Sequence, residues 1–284
     1  MSNKEINREA IRLSRTIETQ KAEKLFRYNA AHYPCAMTIN NLAWFLYLEY
    51  AEYDKKKLIS MFKEAHSLCP NIKSLLATAQ VYYDLNRFYR AEKILNRILE
   101  NHYNASALSL LMVTKLYLRK YNEAKKLCKK IIRQKEFFDV ESDFWIQTNL
   151  ALCDCEIECG KAKRALKRLN YLLKTIGFEK MGFAPFCLIY KAGRPDIVAK
   201  TLKKHPEFFA LWGAREDELF IIINSYSKTF DNIDASEFDL LIKTKYDELS
   251  FGYIYSLAKQ KNNHMNYRFV MQPPKCNSYI CDSI

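Results

Sequence analysis

Glycine and proline are scarce in this chain, with 6 and 7 copies in 284 residues. A many-stranded sheet needs turn chemistry at nearly every connection, and so few punctuating residues leave little room for one. Long apolar runs are also missing. No segment approaches about eighteen uninterrupted apolar residues, so nothing is predicted to span a membrane. The opening Met1-Ser2-Asn3-Lys4-Glu5 is polar and unlike a signal peptide. Catalytic signatures are absent as well: there is no G-x-S-x-G elbow, P-loop, H-E-x-x-H or paired-carboxylate motif. Lone acids such as Asp143 and Glu216 have no partner readable from the sequence. The expectation is therefore a non-enzymatic chain without a cofactor.

Cysteine is not scarce, at nine residues, but its pattern argues against metal. Cys155 and Cys159 share one helical face, while Cys153 points about 200° away from Cys155 at about 100° per residue. No histidine lies within forty residues, so a closed tetrahedral site has no fourth ligand nearby. No metal is expected. In a Lys-rich helical chain these thiols read as reduced core residues of a cytoplasmic protein.

What the sequence has is helical periodicity. Apolar residues make up 49% of the chain and recur at spacings of three and four. Examples are Ile94, Leu95, Ile98 and Leu99, or Leu166, Leu169, Leu172 and Leu173. The reading is all-α. A longer period lies over the short one. Phe88 aligns with Tyr121, Ala91 with Ala124 and Ile98 with Ile131, each 33 residues on. Looser copies surround Lys21–Phe26, Leu58–Ala65 and Gly160–Ala165, with Ala124 and Ala165 separated by 41. Two helices per unit at a period in the low thirties describe a stacked solenoid.

These units resemble tetratricopeptide repeats, in which a first helix with a small residue near its middle is followed by a turn, an aromatic, an alanine and a terminal proline. Ala79, Tyr82, Phe88 and Ala91 fit best, and Gly160 and Ala165 occupy the turn and helix-packing sites of a further unit. Small residues belong there because two helices cross closely. The resemblance implies a right-handed α-α superhelix with additional C-terminal helices. It implies repeats over 1–177, a degenerate repeat and capping helices over 178–265, and a flexible tail over 266–284. A helical pair is expected at 182–191 and 196–204, with Gly193 ending the first helix and Pro195 starting the second. Further helices are expected over Glu216–Tyr226, from Asp234, and over Asp247–Lys259, the last carrying Phe251 and Tyr255.

First helices line the concave wall of such an array. The resemblance places Asn40, Trp44, Tyr47, Lys73, Gln80, Tyr83 and Ser109 there as candidate partner-binding residues. Members that grip a terminal carboxylate need Lys and Asn at set positions, where this chain has Ala43, Tyr47 and Ala77 beside the matching Lys73, so a carboxylate clamp is not expected. An aromatic and amide groove suited to an extended peptide or a helix remains, with Asn40 and Gln80 able to bond a peptide backbone. Trp44 and Tyr83 fit inter-repeat core equally well.

Charge supplies a second candidate surface. The formal net charge is +13, with 25 basic against 13 acidic residues over 1–136 and 5 against 10 over 207–260. The densest basic run, Lys115 to Lys135, stacks Lys125, Lys129 and Arg133 on one helical stripe, with Lys126 and Lys130 beside it. Such a patch suits an anionic partner, nucleic acid included. The outer, solvated wall of a repeat array is also often Lys-rich, and no recognised nucleic-acid module accompanies the stripe. The partner expected is another protein or a peptide, with peptide-sensing regulation or nucleic-acid binding as the alternatives.

Overall fold

A computed structural model describes residues 2–134, 143–211, 216–230 and 278–281. It divides into two compact units, Met1–Lys120 with Gln272–Ile284, and Tyr121–Met271. The helices expected from Asp234 and over Asp247–Lys259, together with Lys135, lie outside the described residues. No strand occurs among the described residues, as the shortage of turn chemistry predicts.

The first unit contains α1 (Asn3–Leu13), α2 (Thr19–His32), α3 (Ala36–Glu49), α4 (Lys55–Leu68), α5 (Ile72–Asp84), α6 (Phe88–Asn101) and α7 (Ala105–Tyr117). Each packs against the next along the chain, and α5 also meets α7. The second unit contains α8 (Tyr121–Arg133), α9 (Asp143–Glu158), α10 (Ala162–Thr175), α11 (Ala184–Lys191), α12 (Pro195–Lys204) and α13 (Glu216–Thr229), with a 3₁₀ turn at Pro206–Leu211. There too neighbours in sequence pack on one another, and α11 returns to α9 and α13. Both units are tetratricopeptide-like stacks of helix pairs. No described helix is long and apolar enough to cross a membrane.

Local chemistry explains where the helices start and stop. Asn71 and Asn104, 33 residues apart, each cap a first helix: the Ser74 and Ala107 amides donate to their side-chain oxygens at 2.8 Å. Ser2 and Glu5 form a reciprocal capping box on α1. Between successive helices the chain turns through one left-handed residue, at Asn86, Arg119, Gly160 and Gly193, with φ of 56°, 57°, 71° and 80°. At each turn the following amide donates to the carbonyl five residues back, as in Lys120 to Lys115 at 2.9 Å and Lys161 to Glu156 at 2.7 Å. The turns are spaced by 33, 41 and 33 residues. The pair α11–α12 thus uses the same turn as the clearer repeats, and most of the extra length lies between Arg133 and Asp143, with α9 also longer than α7.

Packing follows the same repeat. Second helices bury one narrow stripe: Ala91, Leu95 and Ile98 on α6, Ala124, Cys128 and Ile131 on α8, and Ala165, Leu169 and Leu172 on α10. The three alanines are completely buried, and Val198 is buried at the corresponding site of α12. First helices such as α3, α7 and α9 are buried on nearly every side. Within its own unit α3 is flanked by α2 and α4, and α9 by α8 and α10, which is why their apolar residues show no single stripe.

Candidate functional site

Polar side chains gather on one face of the first unit, on α1, α3 and α5. Asn7, Asn40, Asn41 and Ser74 are all fully buried, an unusual density of amides for a helical core. They are covered by the segment Ser278–Cys281, which returns from far along the sequence and belongs to the same compact unit. Ser278, Tyr279 and Ile280 are themselves buried. These residues depart from the flexible tail expected over 266–284, because their backbone groups find partners in the first helices.

The contacts are directed at the backbone. The Asn41 side-chain amide pairs with both groups of Ile280: it donates to the carbonyl at 2.8 Å and accepts from the amide at 2.7 Å. Asn7 donates to the same carbonyl at 3.1 Å. Asn40 donates to the Ser278 carbonyl at 2.7 Å, and the Lys73 ammonium donates to the Tyr279 carbonyl. The amides also hold one another. Asn41 donates to the Asn7 oxygen at 2.8 Å, and Ser74 donates to the Asn40 oxygen at 2.9 Å. These linked bonds define which end of each amide is oxygen and leave the network connected, so removing one member exposes several others.

Side chains of the segment are read separately. The Tyr279 ring stacks on Phe26, with centroids 5.8 Å apart and planes 4° from parallel, and Phe26 packs in turn on Phe45 at 5.0 Å. Burial raises the Tyr279 phenol above its ordinary range against an opposing hydrogen bond with Ser14. Ser278 is completely buried, and its hydroxyl has no partner among the described residues. Ile280 edges an open cavity of about 360 Å³ lined also by Pro34, Cys35, Met37, Leu68 and Cys69.

Of the seven residues expected on the groove, Asn40 and Lys73 meet this segment. Trp44 is 1% exposed and packs on Phe62 and Tyr47, which makes it inter-helix core. Ser109 is also buried, its hydroxyl donating to its own helix at Ala105. Half-buried Tyr47 donates to Asp84 at 2.6 Å, and buried Gln80 donates to the same carboxylate at 3.3 Å. Tyr83 sits edge-on to Phe88 and Tyr117, and burial pushes its phenol well above the usual range. Asn7, Asn41 and Ser74 were missed by sequence reasoning. Their spacings of 34 and 33 residues follow the repeat, and polar residues recurring on otherwise apolar faces are the signal that could have found them.

The basic run divides into two kinds of residue. Lys115 is buried against the Glu92 carboxylate, which Lys120 also reaches at 2.7 Å. Burial pushes the Glu92 carboxyl up, but hydrogen bonds from the two ammonium groups outweigh it and hold the group below the usual carboxylate range. These two cations therefore belong to the interior ion network. On α8, Lys126, Lys130 and Arg133 are exposed, while Lys125 and Lys129 are half-buried and Lys125 donates to Asn122 at 2.9 Å. Cys128, Cys153 and Cys155 are buried in the second unit, and a hydrogen bond with Cys128 together with burial raises the Cys155 thiol.

The fold is similar to that of a tetratricopeptide repeat protein from Parabacteroides merdae. The TM-score is 0.61 at 15% identity, over 90% of this chain and 97% of that one. Similarity at lower TM-score reaches the Naa15/Naa10 complex bound to HypK-THB (0.44, 14% identity, 91% of this chain and 39% of that chain). It also reaches yeast Tom70 (0.35, 15% identity, 92% and 58%). No family model and no curated protein matches the sequence. At this identity the likeness is one of fold.

Proposed function

We propose that the chain is a non-enzymatic, cytoplasmic binding module whose first unit holds a peptide segment along the faces of α1, α3 and α5. The observation that carries this reading is the engagement of both backbone groups of Ile280 by the Asn41 amide. A side-chain amide presents one donor and one acceptor in a plane, which matches a peptide unit and supplies the pairing that an adjacent strand would otherwise provide. Asn7, Asn40 and Lys73 extend the engagement over three successive carbonyls. Recognition of this kind is tolerant of side-chain identity along the backbone, and it leaves selectivity to the pockets beside it. The module is thereby suited to an adaptor, or to a regulator that responds to a short peptide.

A displayed peptide library selected on the purified chain tests the reading. Native protein is expected to enrich a family of sequences that Asn40→Ala and Asn41→Ala each fail to retain. Replacement of Lys126 and Lys130 by Ala is expected to leave the selection unchanged, since exposed charges mainly tune association rate. Enrichment that survives both asparagine changes and disappears in the lysine variant would move the binding surface to α8 and refute the proposal. Nucleic acid titrated at two salt concentrations serves the same end, because phosphate-driven binding falls steeply as salt rises.

A further inference from the structure

Ser278–Ile280 fill the first-unit face well at the backbone and poorly at two side chains, and that mismatch carries information about the true ligand. We infer that the segment is a resident stand-in for a peptide of the pattern small apolar, tyrosine, large apolar, and that such a peptide binds by displacing it; the inference rests on the peptide-binding reading above. The backbone and the central ring satisfy the site. Three carbonyls and one amide of the segment are hydrogen-bonded, and Tyr279 stacks on Phe26 while reaching Ser14.

The two flanking positions do not satisfy it. Ser278 is completely buried, yet its hydroxyl has no partner among the described residues. A buried hydroxyl without a hydrogen bond costs on the order of tenfold in affinity, which an alanine at that position avoids. Ile280 borders an open cavity of about 360 Å³ whose lining is mostly apolar, with Pro34, Met37 and Leu68, beside the polar Asn3 and Lys4. A larger apolar side chain at the Ile280 position would reach further into that space and gain contacts that isoleucine leaves unmade. Both defects weaken the resident segment without touching the features that select for it.

Tethering explains why a weak occupant still holds the site. A segment on the same chain competes intramolecularly, so a free copy of the same sequence at micromolar concentration competes poorly. A peptide that repairs both defects gains about tenfold or more at each, which brings displacement within reach at micromolar concentration. The site then responds to a ligand better than its own tail and stays closed to weaker sequences.

Fluorescence anisotropy with labelled synthetic peptides tests this on the full-length chain. One peptide carries the sequence around Ser278–Ile280 with serine in place of Cys281. A second adds Ser278→Ala and Ile280→Phe, and a third carries Tyr279→Ala. Each is titrated into the native chain and into the full-length double variant Tyr279→Ala, Ile280→Asp, which disables the tail. The tail-sequence peptide is expected to bind the disabled chain at least tenfold tighter than the native one. The improved peptide is expected to bind both chains, and to exceed the tail sequence by tenfold or more on the disabled chain. The Tyr279→Ala peptide is expected to lose at least tenfold.

Equal binding of the tail-sequence peptide to both chains would overturn the stand-in inference and leave the groove reading intact. No binding of any peptide to a disabled chain that keeps its helical circular dichroism would overturn the groove reading itself. A native chain that is dimeric, and becomes monomeric in the disabled variant, would assign the segment to a second copy and overturn occupancy within one chain. Should the double variant lose its helices, Ser278→Asp places a charge in the same buried spot and gives an independent disabled chain, judged by the same criteria.

Discussion

Replacing Asn41 with alanine offers the sharpest test of how the Ser278–Ile280 segment is held. In the native chain the Asn41 amide donates to the Ile280 carbonyl and accepts from the Ile280 amide. Each bond contributes about 1 kcal/mol net, so their loss removes about 2 kcal/mol from docking. Ile280 is only 4% exposed, so its amide would face a dry site without an acceptor, adding about 1 kcal/mol more. The released segment takes its bonds from water, which caps the effect at the docking free energy itself. A change of 2–3 kcal/mol corresponds to roughly 30- to 150-fold in the docked-to-released ratio, at about 1.4 kcal/mol per tenfold. Hydrogen exchange on the intact chain measures it directly: protection of the Ile280 amide is expected to fall by that factor while amides within α6 keep theirs. Asn7 also loses a partner, so Asn7→Ala, which leaves both Ile280 bonds to Asn41 in place, is expected to reduce Ile280 protection less. A change under about threefold in the Asn41 variant would show that the paired amide does not hold the segment, and the backbone-recognition argument would fall with it.

Three further outcomes follow from the packing. Trp44→Ala is expected to cost about 3–5 kcal/mol in chemical denaturation, as for a buried tryptophan, whereas half-buried Tyr47→Ala should cost clearly less; equal small costs would return Trp44 to the binding surface. Arg119→Gly is expected to raise stability by about 1 kcal/mol, because Arg119 holds φ of 57° where glycine is unstrained; a lower denaturation midpoint would show that its side chain matters more than its backbone. Glu92→Gln should destabilise the fold by about 3 kcal/mol, since it removes the buried carboxylate that the Lys115 and Lys120 ammonium groups both reach. The Glu92 carboxyl titrates below its unfolded value. Its contribution is therefore present above the ordinary glutamate range of about 4.3 and lost as pH falls through the lower folded value. The native chain should lose more stability than Glu92→Gln on acidification over that window, and parallel pH profiles would refute the assignment.

The helices, their order and their pairing were legible in the sequence because the interactions that form them are local. Ala91, Leu95 and Ile98 lie within two turns of one helix, and their 33-residue copy at Ala124, Cys128 and Ile131 reports the same packing problem solved again. Gly160 and Gly193 marked two of the turns, while Asn86 and Arg119 hid the other two, since a non-glycine residue gives no warning that its backbone will be left-handed. Neighbouring exposed cations gave no warning that Lys115 would be buried, because its partner Glu92 lies 23 residues back on another helix. Tertiary structure alone brought Ile280 to Asn41 across 239 residues. An amide that recognises a peptide backbone needs no complementary side chain in its partner, so neither end of that contact leaves a mark in the sequence of the other. Helical periodicity repeats with every turn and declares itself; a single docking event between distant backbone and side chain does not.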